Sequence, residues 1–194
     1  MPEAIREPRT SVELRKAWRR SDPRIERDAE LFWQKEDLLA SPAAVGDRLG
    51  DLCLAGYDGD SLIALTTARI RFIDFLGTKL AMVRTATARD KRRNHLGIYM
   101  IARTRELLEQ WSADNPAEEV MGMGTITQVR VEGIERAPAL HEETRLIFIG
   151  WTANGEPMRV AWFPHGTVAI RRPLDFTPLA EEGQKSGPEN ADGN

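Results

Sequence analysis

Residues 78–131 set a strand, a helix and a strand in succession, and nothing else in the chain constrains the fold so tightly. "TKLAMVRTAT" (78–87) is apolar and β-capable. "GIYMIARTRELLEQW" (97–111), with Leu96 just before it, places Leu96, Met100, Leu107, Leu108 and Trp111 along one side of a helix. "SADNPAEE" ends that helix, and "VMGMGTITQVRV" (120–131) returns to a strand pattern. Two strands joined through a helix run parallel within one sheet, so the fold must contain one right-handed crossover.

The flanking segments point to antiparallel neighbours. "DLCLAGYDGDSLIALTTARIRFID" (51–74) is two β-capable runs around a turn at Asp58-Gly59, and a second turn at Leu76-Gly77-Thr78 leads into the first strand of the crossover. "TRLIFIGWTANGEPMRVAWF" (144–163) pairs two apolar runs across Asn154-Gly155, the preferred dipeptide of a two-residue hairpin. Both of its faces carry apolar residues, which predicts a well-buried hairpin. Upstream, "DPRIERDAELFWQKEDLLAS" (22–41) reads as a helix capped by Asp22 and opened by Pro23, with Ile25, Leu31, Phe32, Leu38 and Leu39 on its apolar side. "SVELRKAWRR" (11–20) suggests a short helix, "PAAVGDRLGD" (42–51) a loop or a second short helix, and Gly133 and Pro138 leave 130–143 irregular. The expected class is α+β, a mostly antiparallel mixed sheet flanked by helices. Its expected limits are an N-terminal extension over 1–21, one domain over 22–172 and a disordered tail over 173–194, where the composition is polar and rich in Gly and Pro.

Composition narrows the function. The 194 residues carry a net charge of −3, which disfavours generic binding to nucleic acid or an anionic membrane. The first residues are too polar for a signal peptide and no apolar run is long enough to span a bilayer, so a cytoplasmic location is expected. Cys53 is the single cysteine and sits among apolar residues, as a buried structural thiol does. Three scattered histidines and no spaced carboxylate pair give no metal site.

Against this acidic background, "TARDKRRNHLG" (87–97) concentrates Arg89, Lys91, Arg92 and Arg93 between a strand and a helix, with only Asp90 opposing them. Cations at a helix N-terminus are electrostatically unfavourable, whereas the unpaired N–H groups there attract anions. A solvated turn and a phosphate-bearing ligand are both open, and the ligand explains the clustering better. At these residues the chain resembles the GNAT superfamily of acyl-CoA-dependent N-acyltransferases. Arg92-Arg93-Asn94-His95-Leu96-Gly97 stands where that family has [Q/R]-x-x-G-x-[G/A], with His95 in place of the first glycine and Arg89 where a proline is usual. The likeness extends over roughly residues 22–172.

The resemblance implies a GNAT fold, acetyl-CoA or another acyl-CoA as cofactor, and pyrophosphate binding by Arg92, Arg93, Asn94, His95, Leu96 and Gly97. It also implies that main-chain groups at Val83, Arg84 and Thr85 hold the pantetheine arm. The acyl group would pass to a small-molecule or protein amine. The family's tyrosine acid has no counterpart, because Tyr57 and Tyr99 lie outside the expected segment. Asp74, His141, Glu142 and Glu143 are open as a catalytic base, while His165 reads as a turn residue. Trp111, Trp151 and Trp162 read as core, and Trp18 and Trp33 could touch the acceptor. The apolar hairpin could extend the sheet across a homodimer. The alternative function is a non-catalytic interaction or acyl-CoA-sensing protein on the same fold.

Overall fold

The computed structural model describes residues 5–9, 11–39, 41–92, 95–127 and 138–168. The tail over 173–194 lies outside them, as do Arg93, Asn94 and most of the irregular segment before the hairpin.

One eight-stranded sheet organises the chain, in the order β1-β2-β3-β4-β5-β8-β7-β6. β1 (Glu13–Lys16), β2 (Leu52–Asp58), β3 (Ser61–Ile73) and β4 (Thr78–Thr87) form an antiparallel run. β5 (Val120–Ile126) joins β4 in parallel, as the crossover requires. β8 (Pro157–Trp162), β7 (Leu146–Trp151) and the two-residue β6 (Leu140–His141) complete the sheet antiparallel.

Helix α1 (Pro23–Lys35) starts where Asp22 accepts hydrogen bonds from the N–H groups of Arg24 (3.0 Å) and Ile25 (3.2 Å). Its buried side is Ile25, Ala29, Phe32 and Trp33, which pack on β2 and β3. The helix ends earlier than the sequence suggests because Asp37 adopts φ 54°, and Leu31, inside the helix but off its buried face, is 55% exposed. α2 (Pro42–Leu49) follows, with Ser41 Oγ accepting from the Ala44 N–H at 3.3 Å.

α3 (Leu96–Asp114) covers the opposite face. Leu108 packs with Ala81, Val83, Met123 and Ala161 from β4, β5 and β8, and the Thr66 and Thr104 hydroxyls meet at 2.8 Å between sheet and helix. Cys53 is fully buried in the same cluster, and burial pushes its thiol up to about 12. That is an inert structural thiol.

Three local expectations change. "SVELRKAWRR" contributes strand β1, because its alternation sends Val12 and Leu14 toward Leu54 and Met100 while Arg15 lies 4.4 Å over the Tyr57 ring. The 144–163 hairpin turns through three residues, since the Thr152 N–H donates to the Glu156 carbonyl (2.9 Å) and Gly155, the last of the three, takes φ 73°. That hairpin is also less buried than its composition implies: Trp151 is 67% exposed and Trp162 37%, so neither is core. Among the described residues, no helix is long and apolar enough to cross a membrane.

Candidate functional site

β4 and β5 pair from Lys79↔Val120 to Val83↔Thr125, with a one-residue shift after Lys79, and then part. β4 continues through Arg84, Thr85, Ala86 and Thr87, paired only with β3 on its other side. Every backbone N–H and C=O needs a partner, so this half-paired stretch offers main-chain groups to whatever enters the gap. The gap opens into a cleft of about 470 Å³. Val83, Arg84, Thr85 and Ala86 form one wall, Thr125, Ile126 and Thr127 another, and Ile98 and Ile101 of α3 lie beneath. The Thr85 Oγ1 is buried without a hydrogen-bond partner among the described residues. An orphaned hydroxyl of this kind costs free energy unless a ligand or a water satisfies it.

The basic junction is less uniform than its sequence suggests. Glu36 at the end of α1 is buried, and its Oε2 accepts from the Arg89 N–H at 3.0 Å while its main-chain O accepts from Arg89 Nη2 at 3.0 Å. Lys91 Nζ lies 3.2 Å from Asp58. These two cations therefore serve the fold. Arg92 has only a long bond from Nε to the Thr87 carbonyl (3.4 Å) and no carboxylate among the described residues. Arg93 and Asn94 lie outside those residues.

His95 takes φ 63°, the left-handed region that glycine adopts freely and histidine rarely does. That explains why the related motif has glycine at this position. Its ring does not stand free over the helix start: Nε2 sits 2.7 Å from Glu143 Oε2 in the β6–β7 turn. Burial raises the Glu143 carboxyl, but the His95 ring and the Arg6 N–H outweigh it and hold the group below its usual range. Among the described residues no side chain caps α3, and its first internal bond runs from the Tyr99 N–H to the His95 O at 3.1 Å. The N–H groups of Leu96, Gly97 and Ile98 before it have no helical acceptor. Leu96 itself is fully buried, so only its main chain could face a ligand. A Cβ on Gly97 would meet Thr87 Cγ2 at 3.8 Å, ordinary contact, so protein packing does not require glycine there.

Of the four residues open as a base, one lines the cleft. His141 is in its wall, with Nδ1 accepting from the Thr144 N–H at 3.4 Å. In the neutral ring that bond leaves the proton on Nε2. Asp74 is exposed in the β3–β4 turn, Glu142 is exposed, and Glu143 is engaged by His95. His165 packs on Phe163 and meets Ser112 Oγ at 3.1 Å, outside the cleft. Tyr57 donates to Asp28 at 2.9 Å, and its hydroxyl is pushed upward by burial and then by that carboxylate. Tyr99 is buried beneath Arg103. Neither tyrosine lines the cleft.

Trp33, named from the sequence as a possible acceptor contact, is buried on α1 and lines the cleft. Sequence reasoning missed two members of the wall, Arg48 of α2 and the side chain of Arg84. Burial, and next the nearby Arg84 charge, depress the Arg48 guanidinium. Arg84 had a legible signal, since it shares a strand face with Leu80 and Met82 in an otherwise apolar run.

An antiparallel run joined in parallel to a second hairpin, with a cleft where the two part and a helix N-terminus beside it, is the acyl-CoA N-acyltransferase-like architecture. The chain has the GNAT fold. It superposes on an acetyltransferase of the GNAT family from Streptococcus pneumoniae with a TM-score of 0.52 at 9% identity, covering 79% of this chain and 99% of that one. It superposes on a bacterial toxin with a TM-score of 0.53 at 10% identity, over 80% of this chain and 93% of that one. No family model matches the sequence, and no curated protein matches it either.

Proposed function

We propose that this protein is an acyl-CoA-dependent N-acyltransferase, moving an acyl group, acetyl in the simplest case, from coenzyme A to an amine. The observation that carries the reading is the half-paired β4 edge at residues 84–87, with the orphaned Thr85 hydroxyl on it, leading directly to an uncapped helix N-terminus. A pantetheine arm has amide groups that need donors and acceptors along an extended edge, and a pyrophosphate needs free N–H groups and a cation. The residues present fit both. Main-chain groups at Val83, Arg84 and Thr85 would hold the arm, and the N–H groups of Leu96 and Gly97 with the Arg92 guanidinium would hold the phosphates.

Bound acyl-CoA supplies the thioester: the amine nitrogen takes the acyl carbon, the C–S bond breaks, one proton leaves the amine and one reaches sulfur. The apolar cleft walls exclude water from the reacting centre and keep the two substrates adjacent, which alone removes a large part of such a barrier. His141 would serve as the proton carrier: Nε2 passes its proton to the departing sulfur and takes in exchange the one the amine loses, so the ring ends the step neutral. No carboxylate lines the described cleft to compete with it.

The test is release of free thiol from acetyl-CoA, dependent on added amine, by wild type and by His141→Gln. Amine-dependent release that drops about a hundredfold in the variant supports the enzyme and the role of His141. Acetyl-CoA binding with no thiol release across a broad amine panel supports the sensing alternative, for which the His95 substitution and its tie to Glu143 speak.

A further inference from the structure

We infer that the amine acceptor carries an anionic group, recognised by Arg48 and Arg84, an inference that rests on the acyltransferase reading above. Strand alternation separates these two cations from the phosphate loop. Val83 packs with Leu108 of α3, so Arg84, next in the strand, faces the opposite side of the sheet, where α1 and α2 lie. Arg48, in the last turn of α2, lines the same side of the cleft. The pyrophosphate end of the site is at the N-terminus of α3, across the sheet.

Both arginines are without an ion-pair or hydrogen-bond partner among the described residues. Asp51 and Asp47 attract Arg48 through space without pairing with it, and Asp51 is taken by Arg69 at 2.6 Å. The described cleft wall holds Arg48, Arg84 and Arg159 but not one Asp or Glu, and Arg159 is occupied by the Pro138 carbonyl at 2.8 Å. Two guanidinium groups close enough to depress one of them repel each other, and an acceptor carboxylate or phosphate between them removes that repulsion. A purely cationic polyamine would meet arginines and no carboxylate in the described cleft wall. Trp33 and Leu65, on the same side, accept the apolar part of such a molecule.

The experiment titrates matched amines into the full chain saturated with coenzyme A. One pair is 2-aminoethyl phosphate against ethanolamine; the other is an amidated tripeptide Ala-Asp-Glu against Ala-Asn-Gln. Tighter binding of the phosphate member alone identifies a phosphorylated acceptor, and of the acidic peptide alone a carboxylate acceptor. Either is expected at roughly tenfold or more over its neutral partner, as for a charge-assisted bidentate contact. The advantage should vanish in Arg48→Gln/Arg84→Gln. Arg84→Gln alone, at an exposed side chain, should reduce it should the double variant prove unstable. Equal affinity within both pairs, no binding by either anionic member at 10 mM (roughly 3 kcal/mol of affinity), or an advantage that survives Arg84→Gln overturns the inference. Stabilisation by acetyl-CoA, measured on the same protein, stays intact in those cases and fails only if the acyltransferase reading itself is wrong.

Discussion

His95 Nε2 and Glu143 Oε2 lie 2.7 Å apart, joining the start of α3 to the turn between β6 and β7. One residue belongs to the proposed phosphate loop, the other to the turn that follows His141 of β6. Glu143 is held below its usual carboxylate range in the folded protein. A depressed folded value means that this group's contribution to stability is full above its unfolded value of about 4.5 and is lost as pH falls through the lower folded value. Urea unfolding between pH 3 and 7 should therefore lose stability on the acid side more steeply in wild type than in Glu143→Gln. At pH 7 the variant should cost about 1 kcal/mol, the worth of one hydrogen bond.

Gly97 separates folding from ligand approach. Among the described residues nothing crowds its missing side chain, and glycine inside a helix is less stable than alanine. Gly97→Ala should raise the stability of the ligand-free protein by about 0.5–1 kcal/mol, measured as a higher Tm. A lower Tm would mean that the helix start is strained in a way its contacts do not indicate.

Thr85 makes the opposite trade. Valine keeps its shape and removes the orphaned hydroxyl, so Thr85→Val should leave the ligand-free protein as stable or up to about 1 kcal/mol more stable. Acetyl-CoA affinity, measured by calorimetry, should fall because the hydroxyl no longer meets the ligand. Unchanged affinity would take Thr85 out of the site.

His141→Gln should lower amine-dependent turnover without reducing the stabilisation by acetyl-CoA, since the imidazole is assigned to proton transfer and not to cofactor binding. Comparing Tm shifts with turnover in the same preparation separates the two.

The crossover, the meander and the final hairpin were legible because turn residues such as Asp58-Gly59 and Gly155 sit between runs of clear period. β1 was not, because "SVELRKAWRR" forms a strand only when the free edge of β2 is there to pair with it. The proposed main-chain contacts near Val83 and Thr85 followed from a family resemblance; the structure adds that β4 parts from β5 just after Val83. Local charge misled in one respect: Arg89 and Lys91 are answered by Glu36 and Asp58, residues distant in sequence that no local pattern connects to them. Arg48 escaped notice for a related reason, since a cation in the last turn of a short helix is ordinary until the fold sets it beside Arg84.

The central claim is that the open N-terminus of α3 receives the phosphates of an acyl-CoA, and Gly97→Asp tests it most directly. A carboxylate in the first helical turn favours the helix by about 0.3–1 kcal/mol, so the variant should fold at least as well as wild type. The same carboxylate would repel a pyrophosphate. Thermal unfolding with acetyl-CoA at a hundred times its Kd should raise wild-type stability by about 2.7 kcal/mol, several degrees in Tm, and should leave Gly97→Asp unmoved. A wild-type Tm that does not change with any acyl-CoA, or an equal rise in the variant, would contradict the account.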